Sequence, residues 1–281
     1  VHLRAREMGE RIPFTLVAFI LAESAEALAH AHALRNSASE LENLVHRDVS
    51  PQNILVSYDG VPKLIDFGVA RAKSRAAQTK VGIVKGKFAY MSPEQAMAKE
   101  LDGRSDIWAL GVVLYQLISG ELPFRGSSDI DTLRRVVAGQ LTPIQEVAPD
   151  TPKPLVDIIE RAMQSDRDVR YQSASEFAAA CREFVSRSNR TVDSRLLAAY
   201  MRRMFERDYV REIKRIRKYQ AGADAASLRE ERQRAINSGS QEFDAETLSL
   251  AAGYERERRE EQNESSEVSE RQVEEISGSF S

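Results

Sequence analysis

Apolar residues recur at helical spacing over residues 14–34, FTLVAFILAESAEALAHAHAL, with Leu16, Phe19, Ile20, Ala27 and Leu34 in a row and Pro13 as a start signal just before. The spacing predicts a long, mostly buried helix. Over residues 44–66 the pattern changes: short β-prone runs flank Asp59-Gly60, the signature of a tight hairpin. From Arg71 to Ser92 no period is visible, and a stretch of that length and composition reads as a long mobile loop. Helical patterns return at Ser105–Ser119, Ile130–Gly139, Pro152–Gln164 and Ser173–Val185, separated by turns containing Pro and Gly. The expected fold class is mainly α with a small β element.

A further helix is predicted over residues 192–219, with Leu196, Tyr200 and Met204 in one row and Leu197, Met201 and Phe205 in the next. Its surplus of Arg and Lys suits an acidic lipid surface, but packing on the preceding domain is the preferred reading. Beyond Gln220, high charge and few large apolar residues cannot repay the entropy of ordering, which predicts a disordered or transiently helical tail. The expected organisation is therefore a domain at 1–187, a basic amphipathic helical extension at 188–220 and an acidic tail at 221–281.

Charge sharpens that division. The net charge of −3 hides a tail with 7 Arg and Lys against 15 Asp and Glu, which leaves residues 1–220 at +5. The single cysteine, Cys181 in EFAAACREF, excludes an intrachain disulfide and reads as a small buried helix residue; a reducing, cytoplasmic setting is expected. The longest charge-free apolar run, Ile107 to Gly120, falls short of the ~20 residues a membrane span needs. No signal peptide is visible, and the chain starts at Val1 rather than Met, so its true beginning is expected to lie upstream.

The candidate chemistry lies in LVHRDVSPQNILVSYDGVPKLIDFGVAR, Leu44 to Arg71. Phosphoryl transfer to a hydroxyl needs a carboxylate to take the proton, and oxygen ligands to hold Mg²⁺ against the nucleotide phosphates. Asp48, Asn53 and Asp66 are the right types, on loops beside short strands.

HRDVSPQN resembles the protein-kinase catalytic loop H-R-D-x-x-x-x-N, and DFG follows at Asp66–Gly68. MSPE at Met91–Glu94 resembles the end of the activation segment, SDIWALG at Ser105–Gly111 the buried central helix, and DRDVRYQSASEF the closing helices. The order and spacing of these motifs make the likeness specific over residues 1–187. Within the family, DVSPQNILVSYDG, KLIDFGVARA and GKFAYMSPEQ resemble bacterial serine/threonine kinases of the eukaryotic type more than tyrosine kinases.

The resemblance implies ATP and Mg²⁺ as cofactors and protein Ser/Thr hydroxyls as substrates. Asp48 would be the catalytic base, Asn53 and Asp66 the metal ligands, and Leu55 part of the adenine floor. His46 and Phe67 would be packing residues, with Gly68 completing D-F-G. Arg47 would receive a phosphate from the activation segment carrying Ser74 and Thr79. Asp106 would hold the catalytic loop from below, and Glu94 would pair with Arg170.

Two positions depart from the family pattern: Ser50 stands where most serine/threonine kinases have Lys, and Lys87 where they have Thr. An exchange is expected, Lys87 supplying the charge near Asp48 and Ser50 the hydroxyl; drift in a weakened enzyme is the alternative. A complete kinase also begins with a small β lobe carrying a Gly-rich loop, a V-A-I-K lysine and a helix glutamate. None of these is found ahead of Asp48 in this sequence. The chain is therefore expected to be a large lobe with a C-terminal extension, either a fragment or the product of a late-started gene model, and inactive by itself. A lobe-only pseudokinase or scaffold, recruiting partner proteins through its helix and acidic tail, is the competing expectation. Neither a membrane span nor a nucleic-acid partner is expected.

Because the tail is expected to bury little, deleting residues 221–281 should leave the melting transition of the remainder almost unchanged. A large drop in calorimetric melting temperature would show that the tail packs on the domain.

Overall fold

In the computed structural model, described over residues 1–35, 44–67, 87–188 and 191–220, the chain is mainly α with a single hairpin. The helices are α1 (His2–Glu7), α2 (Phe14–His32), α3 (Pro93–Ala96), α4 (Arg104–Ser119), α5 (Asp129–Ala138), α6 (Ile144–Val147), α7 (Lys153–Ala162), α8 (Ala174–Ser186) and α9 (Ser194–Met204). Strands β1 (Ile54–Val56) and β2 (Pro62–Leu64) pair antiparallel with Leu55 opposite Lys63, and single 3-10 turns form at Pro51–Asn53 and Lys87–Tyr90. Residues 212–220 are helical too and belong to a unit separate from residues 1–211.

Local signals set the helix ends. Ser128, Ser173 and Asp193 accept backbone hydrogen bonds as N-caps, and Gly120 and Gly139 close α4 and α5 in the left-handed conformation. α2 follows Pro13 as expected, but its buried row runs through Val17, Leu21, Ser24, Ala25 and Leu28, leaving Ala27 exposed and Leu34 beyond the helix end. Since α2 packs on both α8 and α4, it buries a face wider than one row, centred away from Ala27. By length and hydropathy α2 is the described helix capable of crossing a membrane, a feature missed in the shorter Ile107–Gly120 run; here it is a core helix.

α4 forms the centre. Ile107, Trp108, Leu110, Val112, Val113, Leu114 and Tyr115 are all fully buried, and Trp108 stacks on Phe124 with ring centroids 5.2 Å apart. α7 crosses α4 at Gly111, where an added Cβ would come within 2.8 Å of Ala162 Cβ. Only glycine permits that approach. Cys181 lies fully buried on α8, and burial pushes its thiol up to about 12, which suits packing rather than reactivity. The predicted helix at 192–219 is interrupted at Phe205, which packs against the core; Leu197, Met201 and Met204 of α9 are buried, whereas Leu196 is 38 % exposed.

One buried ion pair ties distant elements together. Arg170 Nη1 and Nη2 donate to Glu94 Oε1 and Oε2 at 2.8 and 2.9 Å, and Ser105 Oγ donates to Glu94 Oε1 at 2.7 Å. The remaining guanidinium hydrogens reach the carbonyls of Gln164, Ser165 and Arg104, and the group lies 4.9 Å from the Trp108 ring centroid. Burial alone would raise the Glu94 carboxyl, but the Arg170 and Ser105 hydrogen bonds outweigh it and hold the carboxyl down at about 2.

Removing either partner strands a buried charge, so Glu94→Ala or Arg170→Ala should cost about 3–5 kcal/mol in denaturant unfolding. With its folded pKa depressed, Glu94 contributes stability that is complete above the ordinary carboxylate range and lost as pH falls through about 2. The stability difference between the natural chain and Glu94→Gln should shrink over that acid window; a difference independent of pH would contradict the pairing.

Candidate functional site

The loop Leu44–Asn53 joins the region after α2 to β1, and Arg47 sits in it with φ 67°, left-handed backbone that a non-glycine residue adopts only when held. What holds it is Asp106, 1 % exposed in the first turn of α4. Asp106 Oδ2 accepts from His46 N and Oδ1 from Arg47 N, both at 2.9 Å, while His32 Nε2 lies 2.8 Å from Oδ2. From the other side Gln95 Nε2 donates to the Arg47 carbonyl at 3.0 Å.

His46 carries the constraint across to the second loop. Its Nδ1 accepts from Asp48 N at 3.3 Å and its Nε2 lies 3.0 Å from the Ile65 carbonyl, a pair of contacts that selects the tautomer with the proton on Nε2. The ring packs on Phe67 at a centroid separation of 4.5 Å. Ile65 N donates to the Asn53 carbonyl at 3.0 Å, and Asn53 Nδ2 donates to the Asp48 carbonyl at 2.7 Å. Asp48, Asn53 and the residue preceding Asp66 are thereby joined in one hydrogen-bonded frame at the base of the hairpin.

Within that frame the amide of Asn53 is oriented through its nitrogen, which leaves Oδ1 as its acceptor. Asp66 is exposed, with φ 59°, and Leu55 on β1 is 49 % exposed. Lys87, distant in sequence, reaches the same place: its Nζ donates to Asp48 Oδ2 at 2.8 Å. The 3-10 turn that carries it packs on α4 and α5, with Tyr90 Oη donating to Gln116 Oε1 at 2.6 Å. Burial drives the Tyr90 hydroxyl up to about 12 despite that bond, so it remains a donor. Ser50 is buried, and its Oγ has no hydrogen-bond partner among the described residues.

The structure thus gathers Asp48, Asn53, Asp66 and Lys87, with Arg47, Phe67 and Asp106 as the frame around them. Glu94 and Arg170 lie below, in the lobe interior. Gly68, Ser74 and Thr79 lie outside the described residues. Gln95 and His32 were missed in the sequence. Gln95 had a signal, because Ser92 and Gln95 form a reciprocal capping box readable in SPEQ; His32 had none. Among the described residues no three His, Cys, Asp or Glu side chains cluster to hold a metal by themselves. One carboxylate with one amide oxygen instead suits Mg²⁺, which keeps waters and takes phosphate oxygens.

Comparison with known proteins gives the same reading from a different direction. The chain is 39 % identical over 205 residues to tyrosine-protein kinase MasK of Myxococcus xanthus, covering 73 % of this chain and 32 % of that protein. It is 35 % identical over 162 residues to serine/threonine-protein kinase PknB of Mycolicibacterium smegmatis (57 % and 25 %) and 34 % identical over 160 residues to PrkC of Bacillus subtilis (57 % and 24 %), also a serine/threonine-protein kinase. The chain spans about a third or less of the length of these relatives. The family model for the protein kinase domain matches residues 4–184, and with bacterial kinases as its relatives the chain belongs to the protein kinase family, in its eukaryotic-type bacterial branch.

Proposed function

We propose that a protein containing this lobe transfers the γ-phosphoryl group of ATP to Ser or Thr hydroxyls of other proteins. The observation that carries the proposal is the frame in which Asp106 and His46 fix Asp48, Asn53 and the approach to Asp66. Asp48 is the base that accepts the hydroxyl proton. Asn53 Oδ1 and the Asp66 carboxylate are the groups that would hold Mg²⁺, which when bound neutralises phosphate charge and aligns the transferring group.

Lys87 completes the electrostatics. Its ammonium, bonded to Asp48, would offset negative charge on the phosphoryl group as it transfers. This supports the charge half of the exchange between positions 50 and 87. The hydroxyl half rests on the position of Ser50 alone, since Ser50 Oγ engages no described partner. Serine/threonine choice is supported by the names of PknB and PrkC, while the name of MasK favours tyrosine. Phosphoamino-acid analysis of the product decides between them.

The 281 residues alone should show no robust Mg·ATP-dependent phosphorylation, because they contain no Gly-rich loop or V-A-I-K lysine. With a kinase small lobe joined ahead of Val1, label from γ-labelled ATP should reach protein hydroxyls, and Asp48→Asn should slow turnover by about a hundredfold or more. Lys87→Ala should lower kcat with little change in KM for ATP. Ser50→Lys combined with Lys87→Thr should recover activity that each change loses, coupling by roughly 0.5–3 kcal/mol. Unchanged transfer in Asp48→Asn would refute the catalytic assignment; strictly additive effects at 50 and 87 would reduce their exchange to drift.

A further inference from the structure

The hairpin β1–β2 joins the two proposed metal ligands: Asn53 directly precedes β1, and Asp66 lies two residues after β2. Its turn, at the far end, is held by α9, a helix beyond the residues 4–184 matched by the kinase family. We propose that α9 is a positioning element for this site: it fixes the hairpin turn and so sets the order of Asn53 and Asp66 at the base.

The contact is backbone on backbone. Gly60 in the turn has φ +75°, and a Cβ there would stand 1.9 Å from the Ser194 carbonyl oxygen and 2.6 Å from Ala198 N. Any side chain at position 60 would have to lift α9 away or push the hairpin back. Arg202 of α9 then reaches over the turn, donating Nε to the Tyr58 carbonyl at 3.2 Å and placing Nη2 3.3 Å from Asp59 Oδ1. Tyr209 closes the cluster, 5.1 Å edge-on to Tyr58 and 5.4 Å below the Arg202 guanidinium.

α9 is itself anchored, so it can resist the hairpin. Leu197 and Met204 are at most 1 % exposed within the lobe core. Arg203 pairs with Glu10, and Arg4 Nε donates to the Met204 carbonyl at 3.1 Å, which ties the helix to the segment ahead of α2. The hairpin, with strands of three residues each, has little pairing of its own. An external brace therefore governs how often it opens. The Arg202–Asp59 pair is exposed and contributes little alone; the Gly60 contact and the Tyr58 carbonyl bond dominate.

The consequence for Asn53 and Asp66 rests on their proposed role in phosphoryl transfer, whereas the brace is measurable without catalysis. Hydrogen exchange by NMR on the full 281-residue chain tests it at two amides: Ser57 N, bonded to the Val61 carbonyl, and Ile65 N, bonded to the Asn53 carbonyl. Gly60→Asn keeps a residue type that accepts left-handed backbone, so its effect reports the collision with α9 rather than strain in the turn. Exchange at Ser57 and Ile65 should rise about tenfold in Gly60→Asn and about threefold in Arg202→Ala, with Arg202→Lys restoring the natural rate and Val113 in α4 unchanged. Unchanged Ile65 exchange in both variants overturns the proposal. An equal rise at Ile65 and Val113 also overturns it, because that pattern is general loss of stability. If Gly60→Asn does not fold, the Arg202 pair of variants decides by the same criterion. Failure of the Asp48 experiment would leave this result standing, so the two readings fall separately.

Discussion

A buried carboxylate receiving two consecutive backbone amides is the constraint on which the site depends. Asp106 lies in the first turn of α4, where the helix dipole favours its negative charge, and it must collect donors because an unpaired charge at 1 % exposure is prohibitive. His46 N and Arg47 N can both point at one carboxylate only if the chain turns sharply between them, and Arg47 at φ 67° is that turn. The left-handed strain, of order 1–3 kcal/mol, is offset by charge-assisted hydrogen bonds that are each worth roughly 1.5–3 kcal/mol. Once His46 is fixed, its ring determines where Ile65 and Phe67 lie, and the Ile65 amide in turn closes on Asn53.

Glu94 and Arg170 act at the start of α4 as well, through Ser105 and the Arg104 carbonyl. Their bidentate pair joins α3 to the segment just before α8, and Ser105, the residue next to Asp106, donates to Glu94. α4 thus carries adjacent residues, Ser105 and Asp106, that engage the two buried acidic centres. Replacing the pair by apolar residues of similar volume need not destabilise the lobe. Its value is geometric: Glu94 fixes α3, α3 carries Gln95, and Gln95 binds the Arg47 carbonyl. The loop at His46–Arg47 is consequently held both by Asp106 and, through Gln95, by α3.

Much of this was legible in the sequence, for physical reasons that also explain the remainder. The helices α2, α4, α5, α7 and α8 appear within a residue or two of their predicted ends because apolar period, proline starts and glycine stops are local signals. The Asp59-Gly60 turn was legible for the same reason. Ala27, Leu34 and Leu196 share the helical spacing of their neighbours yet are exposed, because periodicity locates a helix without specifying which neighbours will cover it. The pairing of Lys87 with Asp48 was expected only through family likeness; no local pattern brings residues so distant together. His32 on Asp106, Gln95 on Arg47 and Arg202 on Tyr58 had no comparable precedent, and each depends on tertiary packing that a single sequence does not display.

The origin of the site's order bears on how it can work. Asp48 N donates to His46 Nδ1 and the Asp48 carbonyl accepts from Asn53 Nδ2, so these two residues are oriented by bonds within the lobe. A ligand arriving at such a frame need not supply the free energy to assemble it, so more of its binding energy remains for the transition state. Lys87 joins this frame from a distant part of the chain: its ammonium donates to Asp48, and the 3-10 turn that carries it is seated on α4 and α5. The Lys87–Asp48 pair thus joins the turn at Lys87–Tyr90 to the loop ahead of β1, whereas Asn53 is tied to that loop from the foot of the hairpin. Any shift of that turn on α4 and α5 would be felt first at the Lys87–Asp48 pair, because the bonds at Asp48 N and Asn53 Nδ2 do not involve it.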